Sequence, residues 1–565
     1  MGEDWKDTLG YIKKRMERKK DQPVQASKHG RGVAHPVQTA RPPRGQPTAR
    51  RPNELEPRAA GTQTAGGETA PRQAGQVPLP PAPEPGSPPA INIGLDFGTS
   101  TSKVCVRLAL GLAEDVPVYP IAFRDDVVNG SQYLVPSAVT LFDGKLYFGW
   151  EAEARTEDNG TVLAHLKVCL ACDGTMCRKA DAKGCRGVSA GPRGSSNRGA
   201  SFQLGDQEVS ARDLVIAYLA WIIGETRTRL PSGLSSRSEA RFTCNLGVPI
   251  DWLDTNSPLT AVYERIAHSA WLLSLGMSQG IPVTTVEDWI LQADRKPLPP
   301  TNRSPVQLCP ETTAATISYA NSPHPQTGLY GLVDVGAWTT DISFFRLTDI
   351  SLVQGVRTLA FYSARTCRVA ADQIDERLCD FLSEIWGVHE VMSSLDGTQD
   401  LASLIRLERE RGTLEDANVR WKGADRSIPS AAVEVARMLT SSAVRRHFIG
   451  TLKEAYAKEI PPQEPKWRDF PILLMGGGSE EACFEKTFRK DVPLTGKVKR
   501  VARMPSALSE LAGIQDPSIC HRLAVSHGLS FPSALWPRFL RPSEVPMPDP
   551  PRIRAMDRTD DNAPG

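Results

Sequence analysis

The pattern of apolar and polar positions divides the chain into a patterned central part and two flanking segments. Between residues 91 and 531, short apolar runs typical of strands alternate with longer runs of helical periodicity. The strand-like runs are 91–95, 103–108, 117–123, 133–142, 242–248, 330–335, 341–346, 352–360 and 471–475. The helix-like runs are 209–228, 260–275, 370–385, 400–417 and 428–458. Strand pairs followed by helices predict an α/β protein with mixed sheets.

The flanking segments have a different composition. Residues 1–20 can form a short basic amphipathic helix, either as a solvated tail or as a tether that binds a partner or an acidic surface. Residues 21–90 are rich in Pro, Gly, Ala, Gln and Arg, and 532–565 are again rich in Pro. Such segments bury too little apolar surface to offset their ordering entropy, so we expect 1–90 and 532–565 to be disordered.

Overall charge and apolar content limit the classes of protein to which the chain can belong. The 67 Lys and Arg residues nearly balance the 65 Asp and Glu residues, so no global field favours nucleic acid as a partner. The longest apolar stretch, 214–223, is too short to span a bilayer, and residues 1–20 lack the apolar core of a signal peptide. Eleven cysteines, mostly isolated, are typical of reduced thiols. We therefore expect a cytoplasmic protein without membrane insertion.

Two Asp-x-Gly hairpins carry the clearest candidate chemistry. They are IGLDFGTST at 93–101 and LVDVGAWTTD at 332–341. In each, an aspartate at a strand end can hold a hydrated divalent cation, and glycine lets the backbone turn close to a ligand. The following N–H and hydroxyl groups can donate to phosphate oxygens. One such hairpin, with its aspartate capping a turn, is common, but two predict a nucleotide phosphate chain held from both sides.

A third signature is ILLMGGGS at 472–479. Here an apolar strand leads into three glycines, which let a flat base and ribose lie against the backbone. We expect a helix to begin at Ser479, with its free N–H groups near the ligand. The alternative is a plain strand-to-helix turn.

In this order the three signatures resemble the phosphate-1, phosphate-2 and adenosine motifs of the actin, sugar-kinase and heat-shock ATPase superfamily. The nearest resemblance is to the nucleotide-binding domain of the seventy-kilodalton heat-shock chaperones. Further segments fit in the same order: YLVPS at 133–137, FG at 148–149, FTCNLGVP at 242–249, PETTAA at 310–315, AADQIDERL at 370–378, ERERGTL at 408–414 and LAVSHG at 523–528. The resemblance covers about 91–531.

The resemblance implies a two-lobed actin-like ATPase fold, with ribonuclease H-like sheets flanked by helices and an interlobe nucleotide cleft. The first lobe would take 91–300, with a Cys- and Gly-rich insertion at about 169–201. The second would take 301–531, with a closing helix near 520–531 that returns to the first lobe. ATP or ADP with Mg²⁺ would occupy the cleft.

The same resemblance implies roles for individual residues. Asp96 and Asp334 would hold Mg²⁺ through water, and Lys167 would neutralise charge on the transferred phosphoryl group, although a solvated surface lysine is the alternative there. The implied catalytic set is Asp96, Lys167, Glu311, Asp334, Thr339 and Asp341. The implied nucleotide-binding set is Gly98, Thr99, Ser100, Thr101, Gly336, Ala337, Trp338, Glu408, Arg411, Gly476, Gly477, Gly478 and Ser479.

Several positions depart from the family pattern. Trp338 stands among the phosphate-2 glycines, where its indole lies beside the phosphates or pushes the turn outward. Gly412 replaces an arginine that would stack on the base, and Glu415 replaces a serine that would bond it. Glu480 and Glu481 replace a Thr-Arg pair. These departures imply nucleotide binding with slow hydrolysis and a loosened base preference.

Three functional hypotheses follow. The first is a divergent heat-shock-like ATP-binding protein, a slow ATPase that acts as a nucleotide-gated switch through an unknown protein partner or co-chaperone. No peptide-clamping domain is expected after residue 531. The second is a small-molecule kinase of the sugar-kinase branch. The third is an actin-like scaffold or filament protein that binds nucleotide for assembly, and a pseudo-ATPase is a further possibility because of Trp338.

A cysteine cluster lies in the predicted insertion. Cys169, Cys172, Cys177 and Cys185, with His165 nearby, have a spacing that can close a tetrahedral zinc site. The spacing matches no standard paired-knuckle pattern, so unliganded thiols are the favoured interpretation, and redox sensing is a further alternative.

Overall fold

The computed structural model describes residues 91–109, 116–125, 130–155, 161–170, 201–204, 207–231, 234, 241–249, 258–300, 304–321, 325–348, 357–385, 405, 409, 414, 418–421, 424–458, 470–490, 501–503 and 517–545. All of them belong to the larger of two compact units, Val77–Gly565. The predicted basic helix at 1–20, the remaining N-terminal segment 21–90 and most of the insertion at 169–201 lie outside the described residues.

Strands and helices alternate along the described part of the chain. The strands are β1 (Ile91–Phe97), β2 (Thr101–Leu108), β3 (Val118–Pro120), β4 (Val135–Pro136), β5 (Val139–Phe142), β6 (Lys145–Phe148), β7 (Thr161–Leu163), β8 (Ser201–Leu204), β9 (Gln207–Ser210), β10 (Phe242–Val248), β11 (Ile281–Pro282), β12 (Val306–Pro310), β13 (Gly328–Val335), β14 (Thr340–Leu347), β15 (Thr358–Cys367), β16 (Asn418–Trp421), β17 (Ala424–Ser427), β18 (Ile472–Met475), β19 (Val501–Arg503) and β20 (Arg538–Leu540). The α-helices are α1 (Trp150–Ala154), α2 (Leu166–Leu170), α3 (Ala211–Thr228), α4 (Pro258–Leu273), α5 (Val283–Asp294), α6 (Glu311–Ala320), α7 (Asp372–Ile385), α8 (Ser430–Lys458), α9 (Ala482–Phe488) and α10 (Ala524–Ser530). These elements confirm the predicted α/β class.

The two large sheets repeat one strand order. The first contains the path β3-β2-β1-β10-β12, and the second contains β15-β14-β13-β18-β19. In both paths the second strand is antiparallel to the first and to the third, and the last three strands are parallel to one another. The two Asp-x-Gly hairpins, β1–β2 and β13–β14, therefore occupy equivalent places in the two sheets.

The predicted strand at 133–142 is two shorter strands, β4 and β5. The break falls at Ser137, whose backbone N–H donates to Ser100 O at 2.8 Å. The Ser137 hydroxyl also donates to Gly98 O at 2.8 Å. The interruption thus supports the turn of the first hairpin.

Helix α10 packs on the first sheet although it comes late in the chain. It contacts β1, β2, β10 and α6. Two buried strand side chains bond the carbonyls at its C-terminal end: Asn92 Nδ2 donates to Ser530 O at 2.8 Å, and Asn245 Nδ2 donates to Leu529 O at 2.7 Å. These bonds satisfy carbonyls that a helix end otherwise leaves without partners.

The ordered chain continues beyond Phe531, where we expected it to stop. Strand β20 pairs in parallel with β15 at the edge of the second sheet. Trp536 Nε1 donates to Phe531 O at 2.8 Å, and the rings of Trp536 and Phe539 pack against buried core residues. Of the predicted tail, 546–565 lie outside the described residues. Long-range strand pairing orders a Pro-rich segment that has no local signal for a strand.

A buried histidine on α10 makes stability depend on pH. Ser318 Oγ donates to Ala524 O at 2.8 Å and lies 2.9 Å from His527 Nδ1, so Nδ1 carries the proton of a neutral ring. Burial, with Arg107 nearby, lowers the pKa of His527 from 6.5 to about 3. Between these values the unfolded chain binds the proton and the folded chain does not, so stability falls as the pH drops below 6.5.

We expect this histidine to remove up to about 2 kcal/mol of stability at pH 5 relative to pH 7.5, since each pKa unit is about 1.4 kcal/mol. In His527→Asn the amide can still donate to Ser318 and does not titrate, so the loss between the two pH values should be smaller by this amount. Urea unfolding of both proteins at pH 7.5 and pH 5 measures the difference. Equal losses in the two proteins would contradict the assignment.

Candidate functional site

A cavity of about 1250 Å³ is lined by both hairpins. Most of the residues predicted from the sequence line it: Asp96, Gly98, Thr99, Ser100, Thr101, Lys167, Glu311, Asp334, Gly336, Ala337, Thr339, Asp341, Gly476, Gly477 and Gly478. Glu408 and Arg411 lie outside the described residues. The cavity therefore collects three motifs that are far apart in the sequence.

The two hairpins place their charged residues in matching positions. Asp96 lies opposite Lys103 in the β1–β2 pair, and Asp334 lies opposite Asp341 in the β13–β14 pair. Lys103 lines the cavity, and its Nζ is 3.1 Å from Asp96 Oδ2. Lys103 is not among the residues predicted from the sequence, although both pairs have the same spacing in the sequence and an alignment of the two hairpins identifies it.

The carboxylates of the second hairpin lie in an environment that favours their neutral forms. Burial, together with the carboxylates of Glu311 and Asp96, raises the pKa of Asp334 to about 7. Burial and Glu311 also raise the pKa of Asp341, against the effect of a hydrogen bond from the Thr366 hydroxyl. Such a cluster gains free energy by binding a cation.

Lys167 and Glu311 form a buried ion pair in the cavity wall. Lys167 Nζ donates to Glu311 Oε1, and both side chains are less than a tenth exposed. Burial would lower the pKa of Lys167, but the neighbouring Glu311 and Asp96 carboxylates outweigh it and the pKa is raised. Burial raises the pKa of Glu311 in spite of the adjacent ammonium group. The structure thus buries Lys167 at the cavity instead of leaving it at the surface.

The donor set fits a hard divalent cation and phosphate oxygens. Asp96, Asp334 and Asp341 offer carboxylate oxygens, which are the ligands that Mg²⁺ prefers. Lys103 and Lys167 place positive charge beside them, as a phosphate chain requires. In the described part of the chain, no group of three or more His, Cys, Asp or Glu residues is arranged to hold a metal directly.

Gly476 brings the third motif against the second hairpin. Its φ is +80°, and a Cβ at this position would lie 2.2 Å from Asp334 Oδ1. The chain then forms a 3-10 turn, Gly477–Glu480, before α9 begins. Only glycine fits both the backbone conformation and the close approach.

Ser479 does not begin a helix, in contrast to the prediction. Its backbone N–H donates to Gly476 O at 3.1 Å and its hydroxyl donates to the same oxygen at 2.7 Å. The side chain is buried and does not line the cavity. Closing the turn uses the groups that we expected to face the nucleotide.

Trp338 does not line the cavity either. Ala337 and Thr339 on either side of it do. It packs against His165, with ring centroids 5.2 Å apart. The expectation that the Trp338 indole lies beside the phosphates is therefore not met, because Trp338 does not line the cavity.

Arg409 is a second cavity residue that the sequence analysis missed. It lies in the ERERGTL motif, between the predicted residues Glu408 and Arg411. Its guanidinium bonds Asp375 at 2.7 and 2.9 Å and Asp372 at 3.2 Å, which fixes it to α7. The motif marked the segment, but the spacing alone did not show which of its charged side chains faces inward.

The structure describes one of the four cysteines of the predicted cluster. Cys169 is a partly buried residue of α2. Cys172, Cys177 and Cys185 lie outside the described residues. Zinc binding there stays a prediction.

Among the residues that the structure describes, none of the helices is both long enough and apolar enough to cross a membrane.

The comparisons with known proteins found no relative. No protein-family model matches this sequence, and no curated protein matches it either.

Proposed function

We propose that the chain is an ATP-binding protein with the two-lobed actin-like architecture, in which each large sheet belongs to one lobe. Nucleotide with Mg²⁺ would occupy the cavity between the two hairpins. The protein would hydrolyse ATP slowly and act as a nucleotide-gated switch, with its output passing to a protein partner.

The repeated strand order supports this proposal. In the two five-stranded paths given above, the strands counted along the chain have the order 3-2-1-4-5, as in ribonuclease H-like domains. In both, the first two strands form an Asp-x-Gly hairpin that lines the same cavity. Two equivalent hairpins that face one cavity are the observation that carries the proposal.

The chemistry follows from the charged groups in the cavity. Asp96 and Asp334 would hold Mg²⁺ through water, and Lys103 would face the phosphates. Glu311 would position a water molecule for in-line attack on the γ-phosphate, while Lys167 stabilises the charge that develops there. Bound magnesium would supply charge neutralisation of the phosphate oxygens.

Calorimetry of the full chain with Mg·ATP tests the proposal, and we expect saturable binding that Asp334→Ala and Gly98→Val each abolish. The first change removes a metal-holding carboxylate. The second adds a side chain where a Cβ would lie 2.3 Å from Thr101 O, which displaces the phosphate-binding turn.

Asp288→Ala is the matched control, because Asp288 is an exposed carboxylate on α5 outside the cavity. It should bind ATP as the wild type does. Unchanged ATP affinity in both Asp334→Ala and Gly98→Val would refute the assigned pocket. A pull-down in the ATP and ADP states then tests whether a partner distinguishes them.

A further inference from the structure

Two helix faces line a part of the cavity that the phosphate site does not use. On α8 the lining residues are Glu434, Arg437, Met438 and Ser441. At α9 and the turn that follows it they are Cys483, Lys486, Thr487 and Lys490. Both sets have the spacing of residues on one face of a helix.

Glu481 links these faces to the phosphate end. It directly follows the Gly477–Glu480 turn, and its Oε2 accepts from Arg437 Nε at 3.0 Å. At its start the same turn lies against Asp334, through Gly476. A ligand with its phosphates at Asp334 therefore has its other end beside the α8 face.

Met438 is the unusual residue on this face. Its side chain is 52 % exposed, although most large apolar side chains of the described residues are buried. An exposed apolar group inside a cavity with many charged walls gains free energy when a flat apolar group covers it. A thioether also contacts aromatic rings favourably.

Two polar groups near Met438 are bonded within the protein. The Glu481 carboxylate lies 3.0 Å from Arg437 and 3.9 Å from Arg409. The Ser441 hydroxyl donates to Met438 O at 3.3 Å. Met438 therefore offers the ligand an apolar contact between groups that bond to the protein.

Resting on the nucleotide binding proposed above, we propose that Met438 contacts the face of the nucleobase. Met438 would thus set how tightly the nucleoside is held, while the hairpins hold the phosphates.

Calorimetry of the full chain with Mg·ATP, Mg·GTP and inorganic tripolyphosphate with Mg²⁺ tests this inference. Met438→Ala should weaken the binding of both nucleotides by about three- to tenfold, which corresponds to the loss of a thioether–aromatic contact, and leave tripolyphosphate unchanged. Met438→Leu should restore most of the affinity.

Leu291→Ala is the matched control, since Leu291 is also 52 % exposed but lies on α5 outside the cavity. It should bind all three ligands as the wild type does. Unchanged ATP affinity in Met438→Ala would overturn the inference alone if Asp334→Ala still abolishes binding. A wild type that binds neither nucleotide would overturn the proposed function as well.

Discussion

Gly528→Ala is expected to destabilise the protein by at least about 3 kcal/mol, the range of severe overpacking. A Cβ at Gly528 would lie 1.8 Å from Ala314 O, a backbone atom of α6 that cannot rotate away. The two helices would have to separate along their contact. Urea unfolding at pH 7.5 measures the loss.

Gly528→Ala is also expected to disturb the candidate site. Helix α6 begins at Glu311, and α10 also packs on β1, the strand that carries Asp96. Moving α10 away from α6 therefore shifts Glu311 relative to Asp96. We expect ATP affinity in any folded Gly528→Ala protein to fall together with stability.

Gly450→Ala is the control for this substitution. Gly450 lies inside α8, and nothing lies within 4 Å of the position of its Cβ. Alanine there should stabilise the protein by about 0.5–1 kcal/mol, because it restricts the unfolded chain and favours the helix. Equal effects of the two substitutions would contradict the close approach of α10 and α6.

Local signals predicted the elements that carry the site. The apolar strands, the Asp-x-Gly turns and the glycine run are all short-range patterns, and each is a strand or a turn in the structure. The two hairpins by themselves predicted that they hold one phosphate chain from both sides. That the glycine run meets them at the same cavity followed from the resemblance, because periodicity does not show which strand ends share an edge. The match between Lys103 and Asp341 was available in the sequence, as a spacing common to both hairpins.

Other features had no local signal. All ten residues of α6 are buried, so the helix has no solvent-exposed face. Its sequence therefore lacks the amphipathic period from which a surface helix is predicted. Strand β20 depends on pairing with β15, which lies far away in the sequence. Trp338 packs against His165, which is distant in the sequence, and the sequence of the turn around Trp338 does not specify this contact.

Lys167→Met is expected to destabilise the protein by about 3–5 kcal/mol at neutral pH, as is typical when one partner of a buried ion pair is removed. Lys167 and Glu311 are each less than a tenth exposed and are bonded to each other. Without the ammonium group, Glu311 must stay charged without its partner or bind a proton, and both cost free energy. Chemical denaturation at pH 7.5 measures the loss, with Lys453→Met, an exposed lysine on α8 outside the cavity, as the control.

The double variant Lys167→Met/Glu311→Gln separates structure from chemistry. Because no charge stays buried alone, it should recover more than about half of the lost stability, and the double-mutant cycle should give a coupling free energy above about 2 kcal/mol. Turnover should not recover: we expect ATP hydrolysis at least about a hundredfold below wild type in the single and the double variant, since both lack the charge that we propose to stabilise the transferred phosphoryl group. A double variant as unstable as Lys167→Met would contradict the ion pair. A stable double variant with wild-type hydrolysis would contradict the catalytic role of both residues.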